Sequence, residues 1–333
     1  MLASCESVLD TEQKIGDTGT LPLNFSAIIA SDMQPQSRVK AIDSSAFFPR
    51  REDYKIGMWI CEPDAQEPFA PAMKGYGNML ASLTVGAKET GVHENKWNYV
   101  FDGNNHDILS VRRGYAVDIY AYYPHVAGIG KFDPTCVPFV SGEDDWMWAE
   151  PRSLTATDTQ ADVTEQPVEV PLRFHHAMTC IQVDIKCLYG GNVILTSMTL
   201  TDSKGRLYAK GSIDLTNGGE LTLNNEDKGN EITITPDSTL TTQYQTYCIM
   251  MPPIENYTNG ELVLSFVFNG IDGREKFPLP DEMNDLNGTS TVQIDKFERG
   301  TKYIYRLTLD NVMRFAPVGV DSTWTYEEID LEL

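Results

Sequence analysis

Apolar residues alternating with polar ones, in short runs cut by turn residues, constrain this chain more than any other feature. Leu21, Leu23, Phe25, Ala27 and Ile29 alternate with Pro22, Asn24, Ser26 and Ile28, the period-two pattern of a strand with one buried face. Similar strand-like runs are Tyr54–Cys61, Trp97–Phe101, Ala116–Tyr123, Val168–Phe174, Thr179–Cys187, Val193–Thr201, Gly211–Leu215, Glu231–Thr235, Tyr244–Met250, Glu261–Asn269 and Lys302–Leu309. Turn signals punctuate them: Asp102-Gly103-Asn104-Asn105, Asn217-Gly218-Gly219, Asn259-Gly260 and Asp272-Gly273. No long segment carries a clean 3.6-residue period. A short helix is expected within Met73–Ala87, against the cost of its glycines. Many short strands with spaced turns predict an all-β protein built from β-sandwich domains.

A length of 333 residues suggests two such domains. The stretch from Glu150 to Pro167 is polar, with too little apolar content for a strand with a buried face, so it reads as the connection. The expected organisation is a tether over 1–20, a first sandwich over 21–155 and a second over 156–333. Charge excludes some partners. A net charge of −22 disfavours nucleic acid, which is bound by basic groups that displace counterions, and disfavours electrostatic docking on anionic lipid. No run of about 18 apolar residues is present to span a bilayer as a helix.

Six cysteines are spread without a C-x-x-C pair, which argues against a structural zinc site. Cys180 and Cys187 share one strand but face opposite ways, roughly 23 Å apart and beyond disulfide reach. They read as small core hydrophobes. Nucleotide-loop, nucleophile-elbow, zinc-protease and EF-hand patterns are missing, so no catalytic residue, metal ligand or cofactor is assigned and the chain is expected not to be an enzyme. His175 and His176 are adjacent on a strand and cannot share one metal. The acidic turn Asn224–Asp227 lacks the spacing of a calcium loop, and Asp144-Asp145 lacks a cleft.

Several segments together resemble the Bacteroidales fimbrillin family, the FimA/Mfa-like type V pilin lipoproteins. Tyr120-Ala121-Tyr122-Tyr123-Pro124 looks like that family's aromatic strand end. Asp145-Trp146-Met147-Trp148-Ala149 is similar to the piece closing its first domain. Leu172-Arg173-Phe174-His175-His176-Ala177-Met178 resembles the opening of its second. Phe297-Glu298-Arg299-Gly300-Thr301-Lys302-Tyr303-Ile304-Tyr305 resembles its penultimate strand. Leu2-Ala3-Ser4-Cys5 resembles a bacterial lipobox, with Cys5 as the acylated residue; the plain alternative is a free cysteine in a frayed terminus.

The resemblance implies two consecutive transthyretin-like β-sandwich domains and a structural role at the cell surface. It implies export as an outer-membrane lipoprotein, removal of the first strand by an arginine-specific protease, and filling of the vacated groove by a strand of another fimbrial subunit. The removable strand is then the one bearing Leu21, Leu23, Phe25, Ala27 and Ile29. Arg38 ends a polar, proline-containing segment and is the expected cut site, with Arg50 and Arg51 as rivals. The tail alternates Ile329, Leu331 and Leu333 with Glu328, Asp330 and Glu332, and is either a donor strand or simply the last strand of the second domain. A different class stays open, a surface lipoprotein that binds glycans without polymerising. Trp146 and Trp148 share a strand face as stacking platforms do, though core packing is the favoured reading of them.

Overall fold

In a computed structural model of the protein, residues 19–29, 53–63, 65, 67–85, 95–129, 133–155, 168–188, 192–269, 274–285, 290–310 and 313–322 are described. Cys5, Arg38, Arg50, Arg51, Ile329, Leu331 and Leu333 lie outside them. Among the described residues there are 26 strands and one 3-10 turn, Asn225–Asp227. The protein is all-β and sandwich-like, as the alternation requires. Ala116–Tyr123, Thr179–Cys187 and Lys302–Leu309 begin and end where the sequence places them.

The largest sheet has ten strands. Its order runs Asn104–His106, Asn95–Phe101, Met79–Val85, Asp53–Cys61, Ala116–Tyr123, Met147–Ala149, Val168–His176, Thr20–Ile29, Leu109–Arg112, with Arg152–Thr155 also on Ala116–Tyr123. Strands far apart in this order touch: the ring of Phe25 meets that of Tyr99 edge-on at 6.0 Å. The sheet therefore curls over on itself and closes a core between its two ends. Two expectations are corrected here. Met73–Ala87 holds no helix among the described residues; Met79–Val85 is a strand with Met79 and Ala81 inward. Arg152–Thr155, within the supposed connection, is also a strand, half-buried through Leu154.

Two further sheets face one another across a second core. One is ordered Gln245–Met251, Thr179–Cys187, Lys302–Leu309, Met313–Asp321; the other Glu231–Ile234, Ile194–Asp202, Leu262–Asn269, Arg274–Pro278. Phe266 approaches Phe315 at 6.5 Å between them. A third core lies beside a three-stranded sheet of Glu220–Leu223, Lys210–Asp214 and Val137–Val140, and collects Trp59, Tyr122, Phe139, Met178, Cys180 and Met250. Residues early and late in the chain thus share both a sheet and a core. Cys180 joins the third core and Cys187 the second, as their opposite faces demand.

Local backbone chemistry fits these roles. Asp102-Gly103 is a two-residue hairpin loop between paired Phe101 and Asn104, and both residues take positive φ, 53° and 75°. A right-twisted hairpin favours that loop geometry. Gly57 lets the Tyr122 ring lie across its own strand, because a Cβ there would sit 1.9 Å from Tyr122 Cε1.

Candidate functional site

Thr20–Ile29 is the first described strand in sequence, yet it occupies an inner slot of the ten-stranded sheet. On one edge it runs parallel to Val168–His176, from Leu23 opposite Val168 to Ile29 opposite Phe174. On the other it runs antiparallel to Leu109–Arg112, from Thr20 opposite Arg112 to Leu23 opposite Leu109. Beyond the Thr20–Arg112 pair, the Arg113 N–H donates to the Gly19 carbonyl at 3.0 Å.

Its inward residues are Leu21, Leu23, Phe25 and Ala27, all buried in the first core. Burying Leu21, Leu23 and Phe25 stabilises the strand's position by about 5–9 kcal/mol, an upper figure because the unfolded chain is itself partly compact. Outward, Asn24 is exposed and its Nδ2 donates to Glu169 Oε1 at 2.6 Å. The site is a slot with an apolar floor and two backbone rims.

The Leu109–Arg112 rim is positioned by a residue the sequence reading did not single out. Ser110 N–H donates to the Tyr76 hydroxyl at 3.2 Å, and that hydroxyl donates to the Ser110 carbonyl at 2.9 Å. Successive strand residues send their N–H and C=O to opposite edges. With those of Ser110 turned outward to Tyr76, those of Leu109 and Val111 point into the slot. Pro22 stands opposite Ser110, where no rim donor or acceptor faces it, so its missing N–H costs nothing on that side. Burial pushes the Tyr76 phenol above its ordinary pKa, partly offset by the Ser110 hydrogen bonds.

The polar residues singled out in the sequence lie elsewhere. His175 Nε2 contacts Glu150 Oε1 at 3.1 Å, and its ring stacks on Trp148 at 4.8 Å. His176, buried, pairs through Nδ1 with Asp145 Oδ2 at 2.8 Å. Arg299 lies 5.4 Å from the Trp148 ring centroid and donates to the carbonyls of His176 and Gly218. Trp146 is buried, and its Nε1 donates to the Val140 carbonyl. Trp148 packs against Gly219, where a Cβ would come within 2.3 Å of the indole. Both tryptophans serve the third core.

Sequence reasoning missed the rim because Leu109–Arg112 offers only two inward residues, Leu109 and Val111. The Leu-Ser-Val-Arg alternation is the faint signal that exists.

The fimbrillin-like family matches residues 73–325 of this chain. Solved structures with a similar fold include a proposed cell adhesion protein from Bacteroides ovatus, at 16% identity and TM-score 0.53, covering 92% of this chain and 98% of that one. A proposed cell adhesion protein from Bacteroides uniformis has 15% identity and TM-score 0.52, covering 92% and 99%. Another, from Bacteroides fragilis, has 11% identity and TM-score 0.53, covering 93% and 100%. At these identities the likeness is one of fold. No curated protein sequence matches the chain significantly.

Proposed function

The chain belongs to the fimbrillin-like family, and from that premise we propose that it is a structural subunit of a cell-surface fimbrium, acting in adhesion and assembled by strand exchange. One observation carries the reading. An inner strand, paired on both edges and filling a core, precedes every other described strand and is continuous with them only through residues 30–52. A cut in that segment separates Thr20–Ile29 from the rest without severing another described strand.

Arg38 is the proposed cleavage site for an arginine-specific protease, with Arg50 and Arg51 as alternatives. Cys5 is the proposed lipid attachment that holds the precursor at the outer membrane. Loss of the strand opens an apolar slot between two rims, and a strand from another fimbrial subunit refills it with ladder hydrogen bonds and alternate side chains. Ile329, Leu331 and Leu333 of that subunit are the proposed donors, since apolar groups at every second position match the alternation of Leu21, Leu23, Phe25 and Ala27.

The test is digestion of the full chain with an arginine-specific protease, followed by N-terminal sequencing and unheated SDS gels. The expected result is a first cut between Ala30 and Arg51 and a ladder of polymers. Deletion of 322–333, or the triple change Ile329→Asp, Leu331→Asp, Leu333→Asp, is expected to leave cleaved monomers, because each aspartate would bury an unpaired carboxylate. Ladders of normal length from either variant rule out donation through this tail.

A further inference from the structure

We infer that Tyr76 is the positioning residue that keeps the slot ready for an incoming strand, by holding the Leu109–Arg112 rim when Thr20–Ile29 is gone. The inference rests on the strand-exchange reading above. It concerns a residue outside the strands that exchange.

The argument starts from what the rim loses. Leu109–Arg112 ends the ten-stranded sheet, and Thr20–Ile29 is the strand it pairs with. Once that strand leaves, its four ladder positions and the Arg113-to-Gly19 hydrogen bond go with it. A four-residue segment without a ladder partner is a marginal strand. The two hydrogen bonds between Ser110 and the Tyr76 hydroxyl do not involve the departing strand, so they persist.

Tyr76 is itself anchored to the part of the fold that stays. Its carbonyl accepts the Ile60 N–H at 3.1 Å, and the Ile60 carbonyl accepts the Ala72 N–H at 2.9 Å. This docks the 72–76 turn on strand Asp53–Cys61. The Tyr76 ring stands edge-on to Phe101 at 5.1 Å. Gly75 turns the chain at φ +88°, where a Cβ would meet Asp102 Oδ1 at 2.8 Å. The phenol is a fixed post, only 2% exposed, reaching from the 72–76 turn to the backbone of strand Leu109–Arg112.

Two consequences follow. The rim keeps the Leu109 and Val111 backbone groups aimed into the slot, so an entering strand finds a ready ladder and loses less entropy on binding. The outer edge at Ser110 is also occupied, which steers an entering strand to the inner edge rather than to the open side of the sheet.

The experiment uses the full chain and Tyr76→Phe, which removes the hydroxyl alone. Amide hydrogen exchange on the intact protein is expected to speed up at least about tenfold at Ser110, with Lys302–Leu309 unchanged. Unchanged Ser110 exchange overturns the inference. The full chain nicked by the arginine-specific protease is then mixed with a labelled peptide of residues 20–29. Wild type is expected to incorporate it, and Tyr76→Phe to do so about tenfold more slowly. Tyr305→Phe, which trims a phenol buried in the second core, is expected to match wild type and so controls for general loss of stability. Equal rates for wild type and Tyr76→Phe overturn the inference while leaving strand exchange standing. Failure of wild type to incorporate the peptide overturns strand exchange, and the hydrogen-exchange arm still decides whether Tyr76 holds the rim.

Discussion

Thr20–Ile29 and Thr179–Cys187 are the same kind of strand in outline: each is internal, with one parallel and one antiparallel neighbour. They differ in how much holds them. Thr179–Cys187 pairs over eight positions with Lys302–Leu309 and over seven with Gln245–Met251. Ile181, Val183, Ile185 and Cys187 enter the second core on one face, and Cys180 enters the third core on the other. Thr20–Ile29 pairs over seven positions with Val168–His176 but over only four with Leu109–Arg112. Its inward Leu21, Leu23, Phe25 and Ala27 are buried, and its outward face carries exposed Asn24. On the strand-exchange proposal, an inner position in a sheet does not by itself make a strand permanent. The observed differences are the length of pairing on the weaker edge and the burial of the second face.

The largest expected effect breaks the fixed strand. Val183→Asp buries an unpaired carboxylate at a fully enclosed position, and a loss of more than about 4 kcal/mol is expected, enough to prevent folding. Leu23→Asp is expected to release only the first strand, leaving the second core protected in limited proteolysis. A folded Val183→Asp protein, or a Leu23→Asp protein whose second core also becomes protease-sensitive, would break the distinction.

Next comes Phe25→Ala. It leaves a cavity against Tyr99 and should cost about 3–5 kcal/mol in urea unfolding, falling on the transition that reports the first core. The outer faces give a smaller contrast. Asp184 accepts hydrogen bonds from Gln182 Nε2 and Thr246 Oγ1, both at 2.9 Å, and lies 3.7 Å from Arg306 Nε. Asp184→Ala should cost about 1–3 kcal/mol by orphaning these donors. Asn24→Ala on the first strand should stay within about 0.5 kcal/mol. Equal costs would mean that the first strand is held on its outer face as well.

The smallest effect is in pH. Asp202, across the second core, is pushed upward by burial. It is nonetheless held below the ordinary carboxylate value by hydrogen bonds from the Arg206 side chain and from the Arg206 and Lys204 N–H groups. A depressed folded pKa contributes stability that is complete above the unfolded value near 3.8 and is lost as pH falls through the folded one. Acid titration of Asp202→Asn should therefore be flatter than wild type below about pH 4, with the first core's acid transition unmoved.

Much of the architecture was legible in particular residues. Leu21, Leu23, Phe25 and Ala27 declared their buried face through parity alone, and Cys180 and Cys187 their opposite faces. Met79–Val85 was misread because it follows turns bearing Gly75 and Gly77, which lower every local preference; Met79 and Ala81 are inward. Arg152–Thr155 was misread because one half-buried residue, Leu154, gives no countable alternation.

What the sequence determined by itself was the longer alternating strands and which way their side chains face, since pleating ties both to neighbours one or two residues away. Only the tertiary structure decided which strand lies beside which. Leu23 opposite Val168 on one edge and Leu109 on the other is a choice among chemically equivalent backbones. The same holds for the hydroxyl of Tyr76, which meets Ser110 across 34 residues. Backbone ladders carry no sequence label, so the choice falls to how the apolar faces close into cores once distant strands have met.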